Sequence, residues 1–199
     1  MLTQTRLQRS VGRGLRSAAS RRNGGGGAWS PVLEDLAHNG LPASGPLRAA
    51  LAAEADAGAA GAIALALRRA AETSYLVTHE VRALAANLLE RRTDAGRFGG
   101  PVTDACAIGA LTAALALAEC GDPDLGAELE RAARSAAAAL DRAAMSPLEA
   151  ALALAQVAGS GFADEGALWS KLNAAGGGGT TEVRTVLRDA GLLGVRRAA

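Results

Sequence analysis

The sequence predicts an all-α fold of about three antiparallel helical hairpins, in which inner and outer helices alternate along the chain. Two observations predict this fold. The apolar residues, 49% of the chain, are nearly all Ala, Leu and Val, with only two Trp, two Phe and one Tyr, which favours closely packed helices with small side chains. Charge-free segments also alternate with segments that carry one apolar stripe. A chain of 199 residues is long enough for one such domain.

Three segments are predicted as inner helices because they are apolar on all sides. Residues 58–67 and 105–118 carry no charge, and residues 147–158 carry only Glu149. A helix that is apolar all round has to be covered on all sides. Each segment contains Ala-Leu-Ala-Leu, at an average spacing of about forty-four residues, which is typical of stacked helical hairpins. This spacing favours a short helical solenoid.

Four other segments are predicted as outer helices because their apolar residues lie on one face, with charges opposite. The pattern is clear in residues 74–91 and 124–143 and weaker in residues 164–173 and 46–56. The two clear stripes consist of Val77, Val81, Leu84 and Leu88, and of Leu129, Ala132 or Ala133, Ala136 and Leu140. These faces are expected to pack against the inner helices.

Residue types that start and stop helices separate these segments. Pro123, Ser146 and Pro147 stand where hairpin turns and first helical positions are expected. After the helical-repeat domain of residues 28–175, residues 176–199 comprise a Gly linker and a short C-terminal helix. Its predicted cap is Thr180 or Thr181, and its predicted end is Gly191.

The first 27 residues form a separate basic segment that ends in a Gly linker. Residues 1–22 contain six Arg and no acid, and Leu7, Val11, Leu15 and Ala18 share one helical face. In a eukaryotic protein this pattern predicts a mitochondrial transit peptide; otherwise it predicts a cytoplasmic protein whose residues 1–22 contact membrane surfaces. A disordered basic tail is the alternative. In each case we expect residues 1–27 to lie outside the packed fold.

The charge balance of the remaining chain bears on its partners. Without the six N-terminal Arg, 15 basic residues face 20 acidic ones, so no nucleic-acid partner is expected. No stretch reaches about 18 apolar residues without a charge, and the longest such run is residues 105–118. The sequence therefore predicts no membrane-spanning helix.

The segment "DAGRFGGPVTDACAIG" brings Asp104 and Cys106 together at the start of an inner helix. The favoured interpretation is that Asp104 or Thr103 caps the helix and that Cys106 is a small buried apolar residue. The alternative is a zinc site, which needs at least three protein ligands. No His follows Cys106 in the chain. Cys120 lies about 21 Å along the same predicted helix, too far to share a metal with Cys106.

In residues 74–143, the turn "DAGRFGG" connects an outer helix to an inner helix. This segment resembles one repeat of the α/α toroid. The α/α toroid is the fold of squalene-cyclase-type terpene cyclases and of protein prenyltransferase β subunits. The resemblance implies a partial α/α toroid, with Phe98 and Thr103 beside the ligand cavity. It implies zinc binding by Asp104 and Cys106, as in the prenyltransferases, and makes Asp104 the candidate catalytic residue. The third zinc ligand of that family, a later His, is absent, and "PVTD" stands where the cyclases have "DxDD".

The sequence leaves two hypotheses about function. It contains no GxSxG, P-loop, dinucleotide-binding, CxxC or HExxH motif, and no firm catalytic or cofactor-binding residue. The first hypothesis is a non-catalytic helical-repeat scaffold or accessory subunit that binds a protein partner and needs no cofactor. The second is a small toroid-type enzyme or carrier for an isoprenoid-like apolar ligand. Because three hairpins make an open arc, a homodimer or an obligate complex with another helical subunit is predicted.

Overall fold

The computed structural model describes residues 45–53, 57–118, 121–174 and 180–193. Within these ranges it contains eight α-helices and no β-strand, which confirms the all-α prediction. The helices are α1 (Gly45–Ala53), α2 (Ala57–Glu72), α3 (His79–Leu89), α4 (Pro101–Ala118), α5 (Pro123–Arg142), α6 (Pro147–Val157), α7 (Glu165–Ala174) and α8 (Thr181–Asp189). The predictions for residues 1–27 and for the Gly run 176–179 lie outside the described residues.

Helix α4 lies at the centre of the described fold, in contact with α1, α2, α3, α5 and α6. The segments predicted as inner helices correspond to α2, α4 and α6, and α4 packs against both of the others. Of the helices predicted as outer, α3 packs on α2, α5 on α4 and α7 on α6. The C-terminal helix α8 also packs on α6. A repeat relation between these hairpins stays a prediction.

The core of the described residues consists almost entirely of Ala, Leu and other small apolar side chains. Such side chains allow close helix packing, as Gly109 of α4 illustrates. A Cβ atom added to Gly109 would lie 2.6 Å from the carbonyl oxygen of Gln156 in α6 and 3.1 Å from Nη1 of Arg68 in α2. Nη1 of Arg68 also donates to that carbonyl oxygen at 3.3 Å. Helices α2, α4 and α6 therefore meet at a point where a larger residue has no room.

Helix α4 has 18 residues and a mean hydropathy of 1.6. By length and composition alone, it could cross a membrane. It is the only such helix in the described part of the chain. However, 61% of this segment is buried inside the fold. The core helix of a packed bundle has the same length and composition, because it too is covered on all sides. We therefore interpret α4 as the central core helix.

The predicted starts of α5 and α6 are confirmed by their capping contacts. Asp122 precedes Pro123, and its side chain accepts a hydrogen bond from the backbone N–H of Leu125. Ser146 precedes Pro147 and forms a capping box with Glu149, in which each side chain accepts from the other residue's backbone N–H. Proline is suited to the first helical position because its missing N–H has no intrahelical partner there.

Helix α8 has the predicted cap and end. The side chain of Thr180 accepts from the backbone N–H of Val183 at 3.4 Å. Gly191 has φ +71° directly after the last turn, where glycine adopts the left-handed conformation without steric cost. The backbone N–H of Leu192 then donates to the carbonyl of Leu187 at 2.8 Å and closes the helix end.

Two other helices begin at residues that differ from the prediction. Helix α3 starts at His79 rather than residue 74, because the Thr78 side chain accepts from the backbone N–H of Val81 and caps the helix there. Helix α4 starts at Pro101 rather than residue 105. Thr103 and Asp104 therefore lie inside its first turn, and neither is the residue that precedes the helix.

Candidate functional site

Asp104 is buried at the start of α4, and its carboxylate points back to the turn before the helix. Its side chain has no exposed surface. Oδ1 accepts hydrogen bonds from the backbone N–H groups of Phe98, at 2.7 Å, and Gly99, at 3.2 Å. Oδ2 accepts from Nε of Arg97 at 3.0 Å. All three recorded partners are donors, which is the environment that a carboxylate ion requires.

The turn that supplies these donors is itself tightly built. The backbone N–H of Thr93 donates to the carbonyl of Arg97, and the backbone N–H of Gly96 donates to the carbonyl of Thr93, both at 2.8 Å. Gly96 has φ +78°, a conformation that favours glycine. A Cβ atom at Gly96 would overlap the Oγ atom of Ser135 on α5. The turn is therefore held against α5 on one side and bound to Asp104 on the other.

Two opposing effects act on the ionisation of Asp104. Burial raises the pKa of the Asp104 carboxyl above its ordinary value of 3.8, because an ion is less stable away from water. The hydrogen bonds from Phe98, Arg97 and Gly99 and the positive charge of Arg97 lower the pKa, but by less. The folded protein therefore binds a proton at Asp104 more readily than the unfolded chain does.

This raised pKa predicts how stability changes with pH. Between the ordinary pKa and the higher pKa of the folded state, the folded protein binds more protons, so the contribution of Asp104 to stability increases as the pH falls. Urea unfolding at pH 7, 5 and 4 gives the free energy of unfolding of the wild type and of Asp104→Asn. We expect the wild-type value minus the Asp104→Asn value to increase from pH 7 to pH 4. A difference that shrinks with falling pH would show instead that folding lowers this pKa.

The other residues predicted for this site are also buried. Cys106 has 1% of its surface exposed, and Thr103 has none exposed. Phe98 is 4% exposed and belongs to the hydrophobic core. The description of Cys106 as a small buried residue is thus confirmed. Contact of Phe98 or Thr103 with a ligand stays a prediction.

The zinc hypothesis needs a third ligand near Asp104 and Cys106. In the part of the chain that the structure describes, no group of three His, Cys, Asp or Glu side chains is placed to hold a metal ion. Of the two His residues upstream, His79 is exposed at the start of α3, and His38 lies outside the described residues, as Cys120 does. Zinc binding by Asp104 and Cys106 therefore stays a prediction.

Sequence reasoning missed Arg97, which is the charged partner of Asp104. Its side chain is 37% exposed, so its head group reaches solvent while Nε binds the buried carboxylate. The available signal was an Arg inside a Gly-rich turn seven residues before Asp104. The prediction that Asp104 or Thr103 caps α4 was wrong, because both residues lie inside the first turn of the helix. Asp104 does accept backbone N–H groups, but they belong to the preceding turn.

The hydrogen bonds of Asp104 indicate a structural role for its carboxylate. Oδ1 of Asp104 accepts from Phe98 and Gly99, and Oδ2 accepts from Arg97, so both oxygens already bind the turn before α4. The geometry thus favours a carboxylate that holds the turn to α4. The resemblance to toroid repeats stays a prediction. The chain matches no protein-family model, no curated protein and no solved structure.

Proposed function

We propose that this protein is a non-catalytic helical scaffold or accessory subunit that binds a protein partner. The observation that carries this proposal is the connection between α2 and α3, where Tyr75 is 100% exposed and Leu76 is 64% exposed. Tyr is enriched among the residues that dominate binding energy at protein interfaces, because its ring is apolar and its hydroxyl forms hydrogen bonds. These two adjacent side chains are the proposed contact point for the partner.

The state of the candidate chemical site also supports a non-catalytic role. Asp104 was the candidate catalytic residue, and its oxygens accept from Arg97, Phe98 and Gly99. Cys106 lies two residues further along α4, with 1% of its surface exposed. A catalytic group has to be accessible to its substrate, and both side chains are almost completely buried.

The alternative is a small toroid-type enzyme or carrier for an isoprenoid-like apolar ligand. It rests on the resemblance of residues 74–143 to toroid repeats and requires Asp104 and Cys106 at the mouth of a cavity. Under this alternative, Asp104 would exchange the guanidinium of Arg97 for a zinc ion. The two proposals therefore differ in whether the purified protein holds metal.

Metal analysis of the purified full chain separates the two functions. The scaffold proposal expects no stoichiometric zinc in the wild type and no change in metal content in Cys106→Ser. Zinc bound at one ion per chain and lost in Cys106→Ser would overturn the proposal. Stabilisation of the wild type by an isoprenoid alcohol, measured by thermal unfolding, would also favour the alternative.

Photocrosslinking tests the proposed contact point directly. Tyr75 is replaced by p-benzoylphenylalanine, and a matched protein carries the same amino acid in place of Arg131, which is exposed on α5. In cells of the source organism, we expect an adduct of defined mass only from position 75. Excess wild-type chain should suppress this adduct in an extract, whereas the Tyr75→Ser/Leu76→Ser chain should not. Equal adducts from both positions, or equal suppression by both chains, would contradict the proposal.

Assembly gives a further prediction. The proposed arc of three hairpins leaves both ends open, and the end segments, residues 46–56 and 164–173, are rich in Ala and Leu. Repeat arrays normally cover such ends with polar capping elements. We expect the purified chain to sediment as a homodimer at low micromolar concentration, or to require another helical subunit for stability. A stable, monodisperse monomer would contradict this prediction.

A further inference from the structure

The last two turns of helix α4 are less completely covered than the rest of the helix. The helix has no charged residue after Asp104. Residues 102–111 are all buried, whereas Ala116 is exposed. Its neighbours on these turns include four half-buried residues: Thr112, Ala113, Leu115 and Leu117. A helix without charges has to be covered on all sides. We call Ala113, Ala116 and Leu117, which share one side of the helix, the α4 end face.

The neighbours of α4 explain why its cover changes along its length. Gly109, at the middle of α4, lies against Gln156 of α6 and Arg68 of α2. Helix α6 ends one residue after Gln156, and α2 ends one turn after Arg68. The end of α4 lies near the start of α3 instead, because Arg82 pairs with Asp122, which follows α4. In agreement with the burial pattern, α2 and α6 thus cover the first half of α4 and leave the α4 end face open.

The sequence directly before α1 predicts an amphipathic helix. Residues 1–44 lie outside the described residues, so this prediction rests on the sequence alone. Ser30 and Pro31 are residue types that start a helix, and Gly40 is one that ends it. The charged Glu34 and Asp35 fall on one side of this helix. On the other side, four large apolar residues stand at the spacing i, i+3, i+4 and i+7: Trp29, Val32, Leu33 and Leu36.

The path of the chain brings residues 29–40 toward the α4 end face. Helix α1 packs on both α2 and α4, and Leu51 near its end packs against Gly61 near the start of α2. Because only residues 54–56 connect α1 to α2, α1 runs back along α2, and its start lies toward the second half of α2. That is the level at which α4 loses its cover. Residues 41–44 can span about 17 Å at most, which keeps residues 29–40 at this end of the fold.

We propose that residues 29–40 form a helix whose apolar face packs on the α4 end face and covers it from within the same chain. A short tether gives such a segment an effective concentration in the millimolar range. A second copy of the chain at micromolar concentration therefore competes poorly for the same face. The proposal is independent of partner binding at Tyr75 and Leu76 and of the zinc hypothesis.

Trp29 reports directly on this contact. The chain contains two Trp residues, so Trp169→Phe leaves Trp29 as the only one. In this background, we expect acrylamide to quench the fluorescence of Trp29 several-fold less efficiently in the folded full chain than in the chain unfolded by urea. Equal quenching in the folded and unfolded chains would overturn the proposal.

Two matched variants show where Trp29 is buried. Ala116→Arg places a charged side chain on the α4 end face, and Ala138→Arg places the same side chain at an exposed position of α5. We expect Ala116→Arg to raise the quenching of Trp29 to the level of the unfolded chain and Ala138→Arg to leave it unchanged. Circular dichroism checks that both variants fold. If Trp29 stays protected in Ala116→Arg, it is buried elsewhere and the proposal is wrong.

Hydrogen exchange gives a second readout in a chain that keeps both Trp residues. Leu33→Ser/Leu36→Ser removes two of the proposed apolar contacts. We expect the backbone amides of residues 112–118 to exchange about tenfold faster in this variant, while those of α7 keep their rates. Unchanged exchange in residues 112–118 would contradict the proposal. Protection of these amides in the wild type that is lost when dilution produces monomers, as followed by sedimentation, would assign the face to a second copy and overturn the proposal.

Discussion

Gly96→Ala is expected to lower the free energy of unfolding by about 3 kcal/mol. Two effects combine at this position. Gly96 has φ +78°, which strains any residue with a side chain. The new Cβ would also overlap Oγ of Ser135 and lie 3.0 Å from Cβ of Ser135, so rotation of the Ser135 side chain removes the overlap with Oγ but leaves a tight contact between the two Cβ atoms. Urea unfolding at pH 7, followed by circular dichroism, measures the change.

Gly159 offers a matched control for the backbone strain alone. It has φ +77°, but nothing lies within 4 Å of an added Cβ. We expect Gly159→Ala to cost about 1 kcal/mol, the strain being partly offset by the smaller entropy of the unfolded chain. Glycine inside α5 is itself destabilising, so the double variant Gly96→Ala/Ser135→Gly is compared with Ser135→Gly alone. In that background, Gly96→Ala should cost about as much as Gly159→Ala. If Gly96→Ala costs no more than Gly159→Ala, the turn is not packed against α5 as described.

Asp104→Ala is expected to be about as destabilising, by roughly 3 kcal/mol, because it leaves buried donors without an acceptor. The backbone N–H of Phe98 is buried, and the N–H of Gly99 is partly buried. Arg97 loses less, because its side chain is 37% exposed and water can solvate it. The free energy of unfolding, again from urea titration at pH 7, gives the magnitude.

Two variants show whether this loss comes from the buried hydrogen bonds. In Asp104→Asn, the amide oxygen can still accept from Phe98 and Gly99, but the amide nitrogen faces Arg97. We therefore expect Asp104→Asn to lower the free energy of unfolding by less than Asp104→Ala does. Asp122→Ala removes a capping carboxylate that is 15% exposed and paired with Arg82, and it should cost about 1 kcal/mol. A loss in Asp104→Ala no larger than in Asp122→Ala would contradict the structural role of Asp104.

Helix boundaries show where sequence reasoning succeeds and fails. The starts of α5, α6 and α8 were predicted because Pro123, Ser146 and Thr180 act within about three residues of themselves. The start of α4 was placed four residues late, although Pro101 is the same kind of signal as Pro123. The charge-free run begins only at residue 105, after Asp104, so the absence of charge alone marks the start of this helix too late. The error hid the fact that Asp104 lies inside the first turn of the helix.

The candidate site was predicted only in part. The sequence identified Asp104 and Cys106, and it indicated a backbone-capping role for one and burial for the other. It did not identify Arg97, which the Gly-rich turn brings back to Asp104. Outside this site, it did not identify the contact between Nζ of Lys171 and the carbonyls at the end of α5, which lie 28 to 31 residues earlier in the chain. The rarity of lysine was visible in the sequence, but its partners were not.

The sequence by itself determined the fold class and most helix starts, because apolar periodicity and caps act over a few neighbouring residues. The tertiary structure alone decided that Gly109 meets Gln156 and that Lys171 binds the end of α5. It also left Tyr75 fully exposed between two packed helices. These outcomes depend on how helices cross and how far apart their axes lie, which is set by the packing of whole helix faces and not by local residue patterns.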